Sequence, residues 1–263
     1  MLELRNISVE IDDGGDEPKR LLDQVTAAWP AGCFCAVIGP SGCGKSTLVK
    51  TIAGMLEPVS GSLHWHGRNL DEDDFSVGEL AYVPQFSIAH EPLTVLESAR
   101  YTLRLRVAGL DGAQRKERIA RVLDEVGLAP FADRQVKVLS GGQRRRLALA
   151  LELLTNPALL LCDEVTSGLD PRSEDEIVRL LAELAHHGGG GGSRIVLSVT
   201  HSLKQLALYD AVTVLVQGRL AFHGPGDSLC GYFQIADPEE VYDRLADHPP
   251  AAWADQWASV AAA

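Results

Sequence analysis

Residues 34–38 read Phe-Cys-Ala-Val-Ile, an apolar run of strand length, and pass straight into Gly39-Pro40-Ser41-Gly42-Cys43-Gly44-Lys45-Ser46-Thr47. Residues 45–53 then carry apolar side chains at helical spacing and stop at Gly54, with Pro58 beyond. A buried strand, a glycine-rich loop and a helix in immediate succession commit the chain to an α/β fold built on a parallel sheet. The loop has the form Gly-x4-Gly-Lys-Ser. Its glycines let backbone N–H groups converge on phosphate oxygens, the positive end of the helix points at them, and Lys45 adds a full charge. Ser46 is the residue placed to set a hydroxyl on Mg²⁺, and Cys43 reads as a small filler rather than a nucleophile. By residue frequencies alone such a loop arises in about one chain in a hundred of this length, so the assignment needs further support.

Two later segments supply it. Leu159-Leu160-Leu161-Cys162-Asp163-Glu164 is a buried strand that delivers adjacent carboxylates at its end. Asp163 is expected to hold the metal, and Glu164 to polarise an attacking water, as phosphoryl transfer requires a positioned nucleophile. Between loop and strand stands Leu139-Ser140-Gly141-Gly142-Gln143.

The rest of the sequence organises around these points. Leu2 to Ile11 alternates apolar and polar residues and breaks at residues 12–15, which reads as a strand and a turn. Residues 86–138 change character, with helical periodicity over 95–108 and 114–126, and read as a helical insert. After Leu139 the alternation of helix and strand returns: helix over 144–154, strand over 159–162, helix over 173–185, strands over 195–200 and 212–216. Gly188 to Gly192 is a run of five glycines and reads as a flexible surface connection. His64 and His66 flank Trp65 at strand spacing and read as a solvated hairpin, since a metal site needs more ligands; His186 and His187 likewise read as solvated. Trp253 and Trp257 stand four apart, as one helical face requires.

At 263 residues the chain has room for one large α/β unit with a small insert. A formal net charge of −12 argues against a nucleic-acid binder, whose phosphate contacts reward clustered cations; Arg144-Arg145-Arg146 is therefore expected to make internal and phosphate-side contacts. No apolar run approaches the roughly 20 residues of a membrane helix, and no secretory signal is visible at the N-terminus, so a cytoplasmic location is expected. The five cysteines include no Cys-x-x-Cys pair and are expected to be reduced.

The ordered set of loop, Leu-Ser-Gly-Gly-Gln segment and acidic strand resembles the nucleotide-binding domain of ABC transporters, over about residues 2–224. The resemblance implies a P-loop NTPase fold: a RecA-like core with a mostly parallel sheet over residues 1–85 and 140–235, an N-terminal antiparallel β region, and an inserted helical subdomain over 86–139. Residues 236–263 would form a helical tail or connector. It implies an ATPase binding ATP and Mg²⁺ along residues 39–47, with Ser46, Gln85 and Asp163 toward the metal and Glu164, His201 and Gln85 in catalysis. Ser140, Gly141, Gly142 and Gln143 would act in trans on the ATP of a second copy, and Asp170, in Ser167-Gly168-Leu169-Asp170, would lie in the loop linking the two sites of a homodimer or heterodimer. Tyr82-Val83-Pro84-Gln85 resembles the segment that reports to a membrane permease, and Leu93 to Leu105 would sit where that permease is contacted. The stretch Gly218 to Pro225 followed by Tyr232-Phe233 resembles the G-subfamily exporters and related bacterial proteins, which implies export and a connector carrying Trp253 and Trp257; a helix folded back on its own domain is the other reading. Two positions depart from the family pattern: residues 8–15 hold no aromatic to stack on adenine, and Val165 stands where proline is usual. An import subunit, a soluble ABC-type ATPase acting on DNA or ribosomes, and a nucleotide-binding module without turnover are the alternatives; an insert of under a hundred residues and a single set of motifs weigh against the soluble type, and Glu164, Gln85 and His201 against the inert one.

Overall fold

The computed structural model describes residues 1–12, 14, 18–85, 89–187 and 193–261. The five-glycine run and residues 86–88 at the start of the insert lie outside them, as does part of the turn expected at 12–15.

The elements in chain order are β1 (Leu2–Ile11), β2 (Lys19–Trp29), β3 (Phe34–Ile38), α1 (Lys45–Ile52), β4 (Ser60–Trp65), β5 (Arg68–Asn69), β6 (Leu80–Val83), α2 (Val95–Arg106), α3 (Gly112–Glu125), α4 (Gly141–Leu153), β7 (Leu159–Asp163), α5 (Pro171–His186), β8 (Ile195–Val199), β9 (Ala211–Val216), β10 (Arg219–Pro225), α6 (Leu229–Phe233), α7 (Val241–Leu245) and α8 (Pro250–Ala261). They form two sheets. One has the order β10-β9-β3-β8-β7-β6 and is parallel throughout except for the antiparallel β10 edge. The other, β2-β1-β4-β5, is antiparallel.

Strand parity explains how the layers stack. In β3, Phe34, Ala36 and Ile38 enter a core shared with α2 through α5, while Cys35 and Val37 face the core formed with α1 and the antiparallel sheet. Every residue of β3, β7 and β8 is buried, which is why these strands read as continuous apolar runs rather than alternating ones. Between β6 and β7 the chain leaves the sheet to build α2 and α3, each opened by a reciprocal capping box, Thr94 with Glu97 and Asp111 with Gln114.

The hairpin histidines divide. His64 stays in β4 and meets the Ser62 hydroxyl at 2.9 Å, but His66 leaves the strand with φ of 50° and its Nδ1 lies 3.2 Å from the N-terminal amine. His186 also has a partner, Asp210 Oδ2 at 2.8 Å. All five cysteines are free thiols, four of them buried.

The C-terminal helix α8 lies against β10. Trp253 is 2% exposed, packs on Phe233 with ring centroids 5.2 Å apart, and donates its indole N–H to the Leu245 carbonyl at 3.2 Å. Trp257 packs on Phe222 and Tyr232. Removing so large a buried side chain costs both transfer free energy and a cavity. Trp253→Ala is therefore expected to lower unfolding stability by about 3–5 kcal/mol, read as a reduced urea midpoint; an unchanged midpoint would mean that α8 contributes nothing to the fold.

Candidate functional site

The parallel strands deliver their chemistry to one end of the sheet. The glycine-rich loop follows β3, Gln85 lies two residues past β6, Asp163 ends β7 with Glu164 next, and His201 lies two residues past β8. In sheet order these strands are β3, β8, β7 and β6, so four separate stretches of sequence converge outside the carboxyl ends of adjacent strands, the usual ligand position in open α/β sheets.

The loop is shaped by close backbone approach. Gly39 has φ of 148°, and a Cβ there would lie 2.1 Å from the Leu215 carbonyl oxygen; Gly44 has φ of 106°, and a Cβ would lie 2.8 Å from the Leu21 carbonyl oxygen. Only glycine meets both demands. The Gly218 N–H donates to the Cys43 carbonyl at 2.8 Å, tying the loop to the β9–β10 turn. Cys43 is buried, and burial pushes its thiol up, so it is not a thiolate nucleophile. Lys45 is 5% exposed and donates from Nζ to the carbonyl oxygens of Gly39 and Pro40 at 2.9 and 3.1 Å. Pro40, Ser41, Gly42, Ser46 and Thr47 complete the loop and the first turn of α1.

Across from it, the Ser46 hydroxyl donates to Asp163 Oδ1 at 2.9 Å, and the Tyr82 hydroxyl donates to Oδ2 at 3.0 Å. Burial and the neighbouring Asp163 charge push the Tyr82 phenol up, which keeps it a donor. Glu164 sits in the left-handed region with φ of 52°, a conformation that costs an L-residue about 1–2 kcal/mol. The geometry repays this by setting its carboxylate between two donors: Gln85 Nε2 reaches Oε2 at 2.9 Å and His201 Nε2 reaches Oε1 at 3.0 Å. An ionised carboxylate only accepts, so the His201 nitrogen facing it carries the proton. Val165, in place of the usual proline, is buried.

The Leu-Ser-Gly-Gly-Gln segment opens α4. Ser140 is its N-cap: Oγ accepts from the Gln143 N–H at 3.2 Å, and Gln143 Oε1 accepts from the Ser140 N–H at 3.0 Å. Ser140 and Gly141 are exposed, and among the described residues no hydrogen bond joins this segment to the glycine-rich loop of the same chain. The Ser140 O–H remains free to donate outward. Asp170 caps α5, accepting from the N–H groups of Arg172 and Ser173 and from the Ser173 hydroxyl at 2.6 Å; these bonds, the hydroxyl's first, hold its carboxyl below the usual range.

The three arginines of α4 make contacts within the chain, Arg144 from an exposed position. Arg144 donates to the Leu139 and Lys137 carbonyls, and Arg146 to the Val126 carbonyl and the Glu176 carboxylate. Arg145 donates to the carbonyls of Gln85 and Ser167, so one side chain ties α4 to two loops beside the carboxylates. That bridge, and the Tyr82 bond to Asp163, escaped the sequence reading. Residue 82 was visible there only as part of a motif, and nothing in the local pattern says which way a phenol or guanidinium points.

Among the described residues no group of three or more His, Cys, Asp or Glu is arranged to hold a metal. The end of the sheet does bring together oxygens of Ser46 and Asp163, bonded at 2.9 Å, with the Gln85 amide beside Glu164.

Comparison with known proteins shows what the chain resembles as a whole. The family model described as ABC transporter matches residues 22–167, and a model described as an AAA domain, putative AbiEii toxin, matches residues 131–206. The chain is 39% identical over 254 residues to an ABC transporter ATP-binding/permease protein of Mycobacterium tuberculosis; the match covers 95% of this chain and 28% of that protein. It is 33% identical to the methionine import ATP-binding protein MetN of Haemophilus influenzae, covering 95% of this chain and 76% of that one. A solved dimeric ATP-binding cassette in a post-hydrolysis state, bound to ADP and Pi, superposes with a TM-score of 0.71 at 27% identity, covering 86% of this chain and 98% of that one. This chain therefore spans less than a third of the mycobacterial relative's length.

Proposed function

The chain belongs to the ABC transporter family, and from that premise we propose that it hydrolyses ATP to ADP and phosphate as one half of a dimer that drives a membrane permease. The observation that carries this reading is Glu164, held at both carboxylate oxygens by Gln85 and His201 at the end of the strand beside Asp163. A carboxylate fixed in this way serves as the base that orients and polarises the attacking water. Lys45 and the N–H groups of residues 42–47 hold the phosphates. Ser46, Asp163 and Gln85 offer hard oxygen donors, and such a sparse set suits Mg²⁺, which keeps several waters and shares substrate phosphates rather than sitting in an all-protein cage. When bound, Mg²⁺ neutralises the charge that develops between the β- and γ-phosphates.

Two features favour a second copy. Ser140 and Gly141 are exposed at the N-terminus of α4, with Gly142 half-buried beside them, and among the described residues no loop of the same chain uses the Ser140 hydroxyl; such a terminus accepts a γ-phosphate. Gln143 fixes that terminus through the capping box, and Asp170, at the head of α5, lies in the loop taken to join the two sites. The contact with the permease is assigned to a groove of about 580 Å³ lined by His90, Leu93, Tyr101 and Leu105. Tyr101 and Leu105 are 51% and 86% exposed there. No helix among the described residues is long and apolar enough to cross a membrane; contact with the cytoplasmic membrane face is assigned to a permease domain or subunit.

Export is the direction we favour, on the resemblance of residues 218–233 to the G-subfamily; import is the second reading, favoured by the likeness to a methionine import protein. Affinity purification of the tagged chain from detergent-solubilised membranes is expected to bring down a stoichiometric multi-span protein, whose identity decides the direction. Recovery only from the soluble fraction, with ribosomes or DNA-associated proteins, would contradict the transport role.

A further inference from the structure

His201 reaches Glu164 from a stretch without regular structure just past β8, where no helix or sheet ladder holds its own backbone, although the neighbouring Thr200 N–H donates to the Val37 carbonyl and the Ser202 N–H to the Thr200 hydroxyl. Its carbonyl oxygen, however, accepts a hydrogen bond from the Tyr242 hydroxyl at 3.0 Å, across 41 residues of sequence. Tyr242 lies on α7, and α7 is firmly seated. Val241 and Leu245 are buried in the main core. Arg244 donates to the Phe233 carbonyl at 3.1 Å and lies over the Trp253 ring, and the Trp253 indole holds the Leu245 carbonyl. Tyr242 also lines a cleft of about 360 Å³ together with Pro40, Ser41, Gly42 and Cys43.

A single side chain of the C-terminal segment thus touches the backbone of the residue that braces the catalytic carboxylate and adjoins the phosphate loop. We propose that Tyr242 is a positioning residue: its hydroxyl fixes the His201 backbone so that the imidazole meets Glu164, and it couples the C-terminal helices to the nucleotide site. The inference rests on the ATPase reading above. It predicts that the α6–α8 segment responds to nucleotide, and that a partner displacing this segment changes turnover without touching the nucleotide.

Tyr242→Phe tests it, because the ring and its packing stay while the hydroxyl goes. One neutral hydrogen bond supports a change of about 3- to 10-fold. The expected result is a fall in kcat of about that size with KM for ATP within about 2-fold, the pattern of an interaction felt in the reaction rather than in substrate binding. A second measurement does not depend on turnover: hydrogen exchange with and without Mg·ATP, in chains that also carry Glu164→Gln. With Tyr242 in place, nucleotide is expected to protect residues 200–206 and 238–248 together; in the Tyr242→Phe chain, the first segment keeps its response and the second loses most of it. Parent kcat in the Tyr242→Phe variant, or undiminished joint protection, would overturn the proposal, and so would a fall in kcat with raised exchange throughout the chain, which marks a folding defect. A parent chain that binds ATP without hydrolysing it would overturn the ATPase reading instead, and the exchange experiment would still decide the coupling.

Discussion

Glu164→Gln is expected to reduce ATP turnover by about 100- to 10,000-fold, the range a positioned general base contributes, while ATP still binds. The substitution keeps the side-chain volume and the hydrogen bond to His201 or Gln85 but removes the charge that polarises water. The groups assigned to the phosphates, Lys45 and the N–H groups of residues 42–47, do not include Glu164, whose carboxylate is held by Gln85 Nε2 at 2.9 Å and His201 Nε2 at 3.0 Å, so affinity for Mg·ATP should stay within a few-fold of the parent. Single-turnover phosphate release against an ATP titration separates the two effects. A Gln variant hydrolysing ATP at the parent rate would move the catalytic base elsewhere.

Lys45→Ala should do the opposite and abolish tight binding. Lys45 is nearly buried, and its ammonium is aimed into the loop by the Gly39 and Pro40 carbonyls. Losing two or more charge-assisted hydrogen bonds to phosphate, at about 1.5 kcal/mol each, weakens ATP by about 100-fold or more. Titration of a fluorescent ATP analogue measures this directly, and the far-ultraviolet circular dichroism should remain that of the parent. Unchanged affinity would place the phosphates somewhere other than on this loop.

Much of this was legible in the sequence because buried parallel strands advertise themselves. The runs at 34–38, 159–163 and 195–199 are continuous and apolar, and each ends on residues of the site. β2 went unread for a physical reason. Its buried residues Leu22, Val25, Ala27 and Trp29 change parity at Gln24, which takes φ of 52° and shifts the register against β1. A bulge of this kind hides the period of two from any pattern search. β10 was visible only as a family-like segment, because its identity as a strand depends on pairing with β9.

The site divides in the same way. The residues proposed to hold phosphate and metal lie in contiguous motifs and could be read in order. The groups that hold those residues still come from far away in the chain: Tyr82 on Asp163, Arg145 on the carbonyls of Gln85 and Ser167, and Tyr242 on His201. Sequence spacing carries no information about such contacts, since each depends on two elements meeting only after the sheet has formed. The tail shows the same limit. Spacing placed Trp253 and Trp257 on one helical face, and only the packing of α8 on β10 tells which surface that face covers.

The central claim is that the reactive site is shared by two copies, with Ser140 of one facing the phosphate loop of the other. Sedimentation velocity of the Glu164→Gln chain, with and without Mg·ATP, tests it most directly. The account predicts a monomer without nucleotide and a dimer with it; a chain that binds ATP and still sediments as a monomer would contradict the shared site.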